Sequence, residues 1–181
     1  RRHKSADTYN AYMLVKDDFD VNMDLIACLP GETFEDFKRS VDIAVALDPA
    51  NITVHTLYMK KGSALKQCGY DNTDYDTASK MVDYAYSKLT ESGYEPYYMY
   101  RQKYTSGNLE NVGYAKPGKA CIYNIDIMEE DTSIIANGAN AISKKWDKKH
   151  NLITRCANYK EPLEYVKHID EMLLRQSEFW K

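Results

Sequence analysis

The 181 residues carry 24 Lys and Arg against 27 Asp and Glu, a net charge of −3, and 44% of them are hydrophobic. That balance supports a globular core in one domain or two small ones, and gives no cationic footprint for nucleic acid or an anionic membrane. No apolar run approaches the ~20 residues that span a bilayer, and four cysteines spaced 40, 53 and 35 residues apart spell no metal site.

With 28% charged residues and no signal-peptide pattern, a reducing cytoplasm is the expected compartment. The abrupt start at Arg1-Arg2-His3-Lys4 is what a piece of a longer protein looks like. Ser5 is expected to cap a helix through about Lys16, with Ala6, Tyr9, Met13 and Lys16 on one side and Phe19 closing the turn. Val21 to Leu29 reads as a strand whose side chains alternate: Val21, Met23, Leu25 and Ala27 one way, Asn22, Asp24, Ile26 and Cys28 the other. Pro30-Gly31 ends it. Thr33 with Asp36 forms a capping box for a helix that buries Phe34, Phe37, Val41, Ala44 and Val45 and stops at Asp48-Pro49.

The β-branched run Asn51 to Tyr58 is the next strand. Thr73 with Asp76 predicts a second capping box, opening a helix that buries Ala78, Met81, Val82, Ala85 and Leu89 and ends at Gly93. Helices and strands alternating at these lengths predict parallel βα units, too few to close a barrel. From Tyr94 the composition turns to tyrosines and amides, and the α/β rhythm is lost. Ser133 to Ser143 and Leu152 to Arg155 read as strands around a polar turn at 147–151. A last helix follows Asn158, with Pro162 in its first turn and Leu163, Val166, Ile169 and Leu173 on its apolar side. The expected domains are therefore 1–93 and 94–181.

Asp24 is the residue with chemistry to explain. An apolar strand of this kind is expected to be covered on both faces, and a carboxylate there needs a partner, of which a ligand is one.

The string Asn22-Met23-Asp24-Leu25-Ile26-Ala27-Cys28-Leu29-Pro30-Gly31-Glu32-Thr33, with Pro49 and the strand Ile52 to Tyr58 beyond it, resembles the oxygen-independent coproporphyrinogen III oxidase family of radical S-adenosylmethionine (SAM) proteins. The family string is Asn-x-Asp-Leu-Ile-x-Gly-Leu-Pro-x-Gln/Glu-Thr. Arg1-x-His3 is similar to the end of its Gly-Arg-x-His segment, and Gly138-x-x-Ala141-x-Ser143 with Arg155-x-x-Asn158 and Tyr165 to its C-terminal signature. Pro96 to Lys103 with Asn111-Val112-Gly113-Tyr114 resembles the Gram-positive coproporphyrinogen dehydrogenase subgroup. The chain departs from the family at Cys28 and Ala136, both usually glycine, and at Tyr98 to Lys103.

The resemblance implies an α/β fold, α+β overall: the C-terminal portion of a partial (β/α)6 radical SAM barrel followed by a small mixed α+β region. It implies a parent that holds a [4Fe-4S] cluster on a Cys-x-x-x-Cys-x-x-Cys loop and cleaves SAM to a 5′-deoxyadenosyl radical. That radical starts the decarboxylation of two propionates of coproporphyrinogen III to vinyls. The loop is not in this sequence, so no catalytic residue and no metal ligand is expected here, and the piece alone is expected to be inactive. Asp24 matches the carboxylate that accepts from the SAM ribose and Ile26 the side chain against adenine. Leu57 and Tyr58 match backbone that meets adenine, and Arg1 the arginine that pairs with the SAM carboxylate.

Tyr98, Arg101, Lys103 and Asn137 are the candidate substrate contacts. For Arg101 and Lys103, pairing with tetrapyrrole carboxylates beside stacking tyrosines stands against plain packing and interface surface. His55 stays unassigned, as a satisfied strand histidine. Cys28 is expected to face the same side as Asp24. Gly138 suits a bulge, and Lys144-Lys145 with Lys148-Lys149 a solvated hairpin tip. A haem-carrying relative without decarboxylase activity and a protein-interaction module remain alternative functions. The strand edge from Val21 to Leu29, cut from its neighbour, is expected to favour self-association.

Overall fold

The computed structural model describes residues 3–59, 63–70, 74–101 and 109–181, and its contacts divide the chain into two compact units, 1–121 and 122–181. In the first unit, helix α1 (Ser5–Val15) is followed by strand β1 (Asn22–Ala27), helix α2 (Phe34–Leu47), strand β2 (Asn51–Thr56), the short helix α3 (Ala64–Gln67), helix α4 (Tyr75–Glu91) and strands β3 (Glu95–Arg101) and β4 (Glu110–Ala115). The strands form one sheet in the order β1-β2-β4-β3. β1 and β2 are parallel, from Asn22 opposite Asn51 to Ala27 opposite Thr56. β4 is antiparallel to both β2 and β3. β3 therefore runs in the direction of β1 and β2, so α4 makes one more crossover and β4 is inserted between. The composition change at Tyr94 falls inside this unit because β3 and β4 complete its sheet.

Within the described residues of this unit, helices α2 and α4 cover one face of the sheet. Ala27 of β1, Ile52 and Val54 of β2 and Tyr114 of β4 bury against Phe37, Val41 and Ala44 of α2 and Ala78, Met81, Ala85 and Leu89 of α4, with Met23, Leu25 and Val112 at the margin. The two helices are tied by the Tyr84 hydroxyl, which donates to Asp42 (2.6 Å); that carboxylate pushes the phenol up to about 12. Each helix is stopped by a local device that the sequence carries. The Thr33 hydroxyl accepts from the Asp36 amide (3.2 Å) while the Asp36 carboxylate accepts from the Thr33 amide (3.2 Å), the reciprocal cap expected there. Asp48 ends α2 in the left-handed region (φ 61°). Gly93 (φ 82°) ends α4, where the Tyr94 and Gly93 amides reach back to Leu89 and Thr90, the six-to-one and five-to-two pair of a Schellman turn.

Several expectations shift. α1 buries Tyr12, whose hydroxyl donates to the Leu47 carbonyl (2.7 Å), and leaves Tyr9, Met13 and Phe19 exposed. Its cap is Lys4, whose amide donates to Asp7. The α4 cap is Asp74, accepting from the Thr77 amide (2.9 Å); Thr73 lies outside the described residues.

The second unit holds helix α5 (Ile122–Glu129), which the sequence did not suggest, strands β5 (Ile142–Asp147) and β6 (Leu152–Ala157), and helices α6 (Pro162–Lys167) and α7 (Ile169–Trp180). The hairpin at 147–151 stands where expected, but its first strand begins at Ile142 and not at Ser133. Left-handed Gly138 (φ 104°) and Asn140 (φ 61°) break the extended run, leaving one bridge between Ile134 and Lys144. Lys144 is on β5 and not at the tip, and with Arg155 it grips Glu130 (2.6 and 2.9 Å). The last helix is two, broken at His168, and Leu163, Val166 and Leu173 are exposed while Met172 is buried.

Cys28 also departs from expectation. Its φ of 68° ends the strand's alternation, so the thiol turns away from Asp24 into the core, 3.8 Å from the Met81 sulfur. A left-handed backbone costs a non-glycine residue about 1–2 kcal/mol, which explains why glycine is the family's usual choice. The neighbouring turn is closed by Glu32, whose carboxylate accepts from the Leu29 amide (3.1 Å). Glutamine or glutamate serves there because either offers the oxygen. Cys28→Gly should therefore stay within about 1 kcal/mol of the parent, since relief of strain offsets the lost thiol contact, whereas Cys28→Val should cost more than about 2 kcal/mol. Urea denaturation of the two variants tests this, and equal stabilities would count against the strain.

Candidate functional site

The uncovered face of the first sheet is polar and aromatic, and its side chains connect in two rows that cross all four strands. In one row Tyr98 of β3 lies over Gly113 of β4, where an added Cβ would sit 1.8 Å from its ring. Its hydroxyl is 3.2 Å from the Thr53 hydroxyl of β2, and Thr53 donates to the Asn22 carbonyl oxygen of β1 (3.1 Å). In the other row Tyr100 stands opposite Asn111 of β4, and its hydroxyl is 3.1 Å from His55 Nδ1 on β2. His55 Nε2 is in turn 3.6 Å from Asp24 Oδ1 on β1. The two tyrosine rings are parallel within 3°, their centroids 6.4 Å apart. The Asn22 amide closes the circuit by donating to Asp24 Oδ1 (2.7 Å).

Alternation explains the rows. Residues 22 and 24, 53 and 55, 98 and 100, and 111 and 113 each share a face because strand side chains repeat every two positions. The parallel register sets Asn22 and Asp24 beside the β2 residues that serve them.

Asp24 is not buried as expected: 61% of its side chain is exposed, against 24% for His55. The reason is the one-sided packing of the sheet. Its partners are neighbours, and they act on its charge. His55 beside it, with the Asn22 amide adding to the effect, holds its carboxyl below the usual carboxylate range despite partial burial. Asp24 is an ionised acceptor on an open surface, suited to ligand hydroxyls.

Ile26 shares this face, and with Asp24, Leu25, Leu29, Glu32 and Phe37 it lines a groove of ≈ 440 Å³. Burial raises the Glu32 carboxyl there. Leu57 is half-buried with its amide donating to the Ala27 carbonyl (3.0 Å), and Tyr58 is exposed. Arg101 of β3 pairs with Glu110 of β4 (2.6 Å). Asn137 is exposed in the second unit, in the loop before β5. Arg1 and Lys103 lie outside the described residues. His55, Thr53, Tyr100 and Asn111 are the members the sequence reading did not assign; alternate polar residues on neighbouring strands were the available signal. Asn111 is fully buried, its Oδ1 accepts from the Thr56 amide (2.8 Å), and its Nδ2 finds no acceptor among the described residues.

The residues fit the ribose side of SAM, since a charged acceptor and an apolar neighbour stand together at Asp24 and Ile26. They do not fit an iron-sulfur cluster: among the described residues no group of three His, Cys, Asp or Glu could hold a metal ion. No helix of the described residues is long and apolar enough to cross a membrane.

The fold is similar to part of the fold of a radical SAM enzyme. The structure of coproporphyrinogen III oxidase (HemN) from Escherichia coli matches 94% of this chain with a TM-score of 0.63 and 19% identity, and the match covers 39% of that enzyme. In sequence the chain is 42% identical over 169 residues, 91% of its length, to the oxygen-independent coproporphyrinogen-III oxidase-like protein HemZ of Bacillus subtilis (strain 168). It spans about a third of that relative, 34%. No protein-family model matches. The family resemblance read from the motifs and the open, partial α/β fold are thus borne out.

Two outcomes test the geometry. Gly113→Ala should push the Tyr98 ring off the sheet and cost about 1–3 kcal/mol, read by denaturation and by loss of the ring-current shift that Tyr98 imposes on the position-113 Hα. Because the Asp24 carboxyl is lowered in the folded chain, its contribution is present above the ordinary value of 3.8 and is lost as pH falls through the lowered one. Asp24→Asn should flatten that acid limb in urea titrations; an unchanged limb would show that Asp24 is not held.

Proposed function

We propose that the chain works as part of an oxygen-independent coproporphyrinogen III oxidase-like radical SAM enzyme, contributing the ribose side of the cofactor site. The observation that carries this reading is Asp24: an ionised, partly exposed carboxylate held by His55 and Asn22 on the open sheet face, in a chain 42% identical to an oxidase-like relative. SAM and a [4Fe-4S] cluster, when bound, would supply the radical chemistry for hydrogen-atom abstraction from each of two propionates of coproporphyrinogen III, each of which would then lose carbon dioxide and pass one electron to a one-electron acceptor as its vinyl group forms. The chain's own residues bind and orient. Asp24 accepts from the ribose hydroxyls, Ile26 packs on adenine, and the backbone at Leu57 and Tyr58 meets the adenine edge. Arg1 is assigned to the SAM carboxylate. The cluster ligands belong to other parts of the parent protein.

Tyr98, Arg101, Lys103 and Asn137 are assigned to the tetrapyrrole. Arg101 is engaged with Glu110, but an exposed pair of this kind is worth only about 0–1 kcal/mol, so exchange for a substrate propionate is inexpensive. The net charge of −3 supports a protein that works without nucleic acid or an anionic membrane, and its 28% of charged residues fit the cytoplasm. β1 is an edge strand of the sheet, and in the isolated chain it pairs with a second copy. Size-exclusion chromatography from dilute to concentrated samples checks this; a monomer throughout would overturn it.

In the full-length enzyme, Asp24→Asn should weaken SAM binding by about 10- to 100-fold, the value of one or two charge-assisted hydrogen bonds, and reduce coproporphyrinogen turnover with it. The 181-residue chain alone, reconstituted anaerobically with iron and sulfide, should not cleave SAM. Unaltered turnover in Asp24→Asn would sink the assignment, and haem binding by the parent without turnover would favour a carrier.

A further inference from the structure

We propose that His55 and Tyr100 are positioning residues for Asp24, with Tyr100 selecting the histidine tautomer that presents Nε2–H to the carboxylate. The proposal rests on the ribose-binding reading of Asp24 and names the residues through which that carboxylate is held.

A neutral imidazole has one N–H and one bare nitrogen, and its partners decide which is which. Here the two ring nitrogens face different groups. Asp24 is ionised and can only accept, so it needs a proton on Nε2. The Tyr100 hydroxyl, 3.1 Å from Nδ1, can donate. In the neutral ring both approaches agree with one arrangement: Tyr100 O–H donating to Nδ1, and Nε2–H directed at Asp24 Oδ1, 3.6 Å away. The opposite tautomer would set the bare Nε2 lone pair against the carboxylate.

Tyr100 is itself held. Its ring is stacked parallel to Tyr98, and Tyr98 is fixed over Gly113 with its hydroxyl at Thr53. Thr53 holds Asn22, and Asn22 donates to the same Asp24 oxygen that His55 approaches. Asn22 of β1 at 2.7 Å and His55 of β2 at 3.6 Å therefore converge on Oδ1 and restrict the carboxylate's rotation. A first-contact group held this way is oriented before its ligand arrives, and outer partners of this kind commonly matter to affinity nearly as much as the contact itself. His55 and Tyr100 touch no ligand in this scheme; they act through Asp24.

The test uses the whole 181-residue chain and does not depend on turnover. Long-range nitrogen–proton NMR of neutral His55, assigned with His55→Gln, should show a protonated Nε2 and a bare Nδ1. In Tyr100→Phe the two tautomers should mix, and in His55→Leu the Asp24 carboxyl, followed by carbon NMR, should titrate closer to its ordinary value. His55→Gln, whose amide can both donate and accept, should restore much of the Asp24 behaviour that His55→Leu loses. A protonated Nδ1 in the parent, or a tautomer indifferent to Tyr100→Phe, overturns the proposal.

SAM titrated into the same samples separates it from the functional reading. If SAM binds and Asp24→Asn abolishes binding, Tyr100→Phe and His55→Leu should each weaken it about fivefold or more. If Asp24→Asn leaves SAM binding unchanged, the ribose assignment fails, while the NMR result still decides whether Asp24 is held. Loss in Asp24→Asn with no loss in either positioning variant overturns the proposal and leaves the ribose assignment standing.

Discussion

The missing side chain at Gly113 is the constraint on which the open face depends. Tyr98 can lie flat across β4 only because nothing projects from it there, and from that position its hydroxyl reaches Thr53 two strands from its own. The second ring stacks on the first, and its hydroxyl reaches His55 past Asn111, which stands opposite it on β4. Had β4 carried a Cβ at 113, the Tyr98 ring would have to shift and its link to Thr53 would go with it, leaving the contacts within β1 and β2 without their aromatic cover. Instead a surface that the described helices leave uncovered is bridged by two rows of polar and aromatic contacts. The sheet thus has a greasy side made by α2 and α4 and a wired side made by its own strands.

That division also explains how one strand can carry both a core and a binding surface. β1 places Met23, Leu25 and Ala27 toward the helices and Asn22, Asp24 and Ile26 toward the rows. The alternation has to stop where the chain leaves for α2, and it stops at Cys28 through a left-handed residue, with Glu32 closing the turn behind it. A side chain there bends into the core and not toward the site. The turn therefore protects the end of the wired face from an intruding thiol, at the cost of a strained cysteine where glycine would be relaxed.

Much of the first unit was legible because its signals are local. Thr33 and Asp36 cap a helix by themselves, Gly93 ends one by itself, and the β-branched run at Asn51 needs no distant partner to be read as a strand. Asp24 was legible as a residue of interest, but its surroundings were not. Its exposure follows from having helices on one face, and its partner His55 from the parallel register, neither of which is written in the strand itself, whereas Asn22, two positions away on the same strand, follows from alternation alone. Tyr100 reaches His55 across 45 positions of sequence. The insertion of β4 between β2 and β3 was hidden for the same reason, since pairing order is a tertiary choice.

The second unit shows how a recognised motif can be structural. Gly138, Asn158 and Tyr165 were read as parts of one C-terminal signature, and the fold brings them together. The Gly138 backbone amide donates to the Tyr165 hydroxyl (3.3 Å), the Asn158 side-chain Nδ2 donates to the Gly138 carbonyl (2.9 Å), and the Gln176 side chain donates to Asn158 Oδ1 (3.0 Å). A backbone at φ 104° presents both of its polar groups to side chains in a way that only glycine adopts without strain. The spacing of the signature is thus accounted for by one clasp joining the loop before β5 to β6 and the helices beyond it. Asn137, its neighbour in that loop, lies outside the clasp and exposed, so any contact it makes with a ligand is independent of the bonds that define the motif.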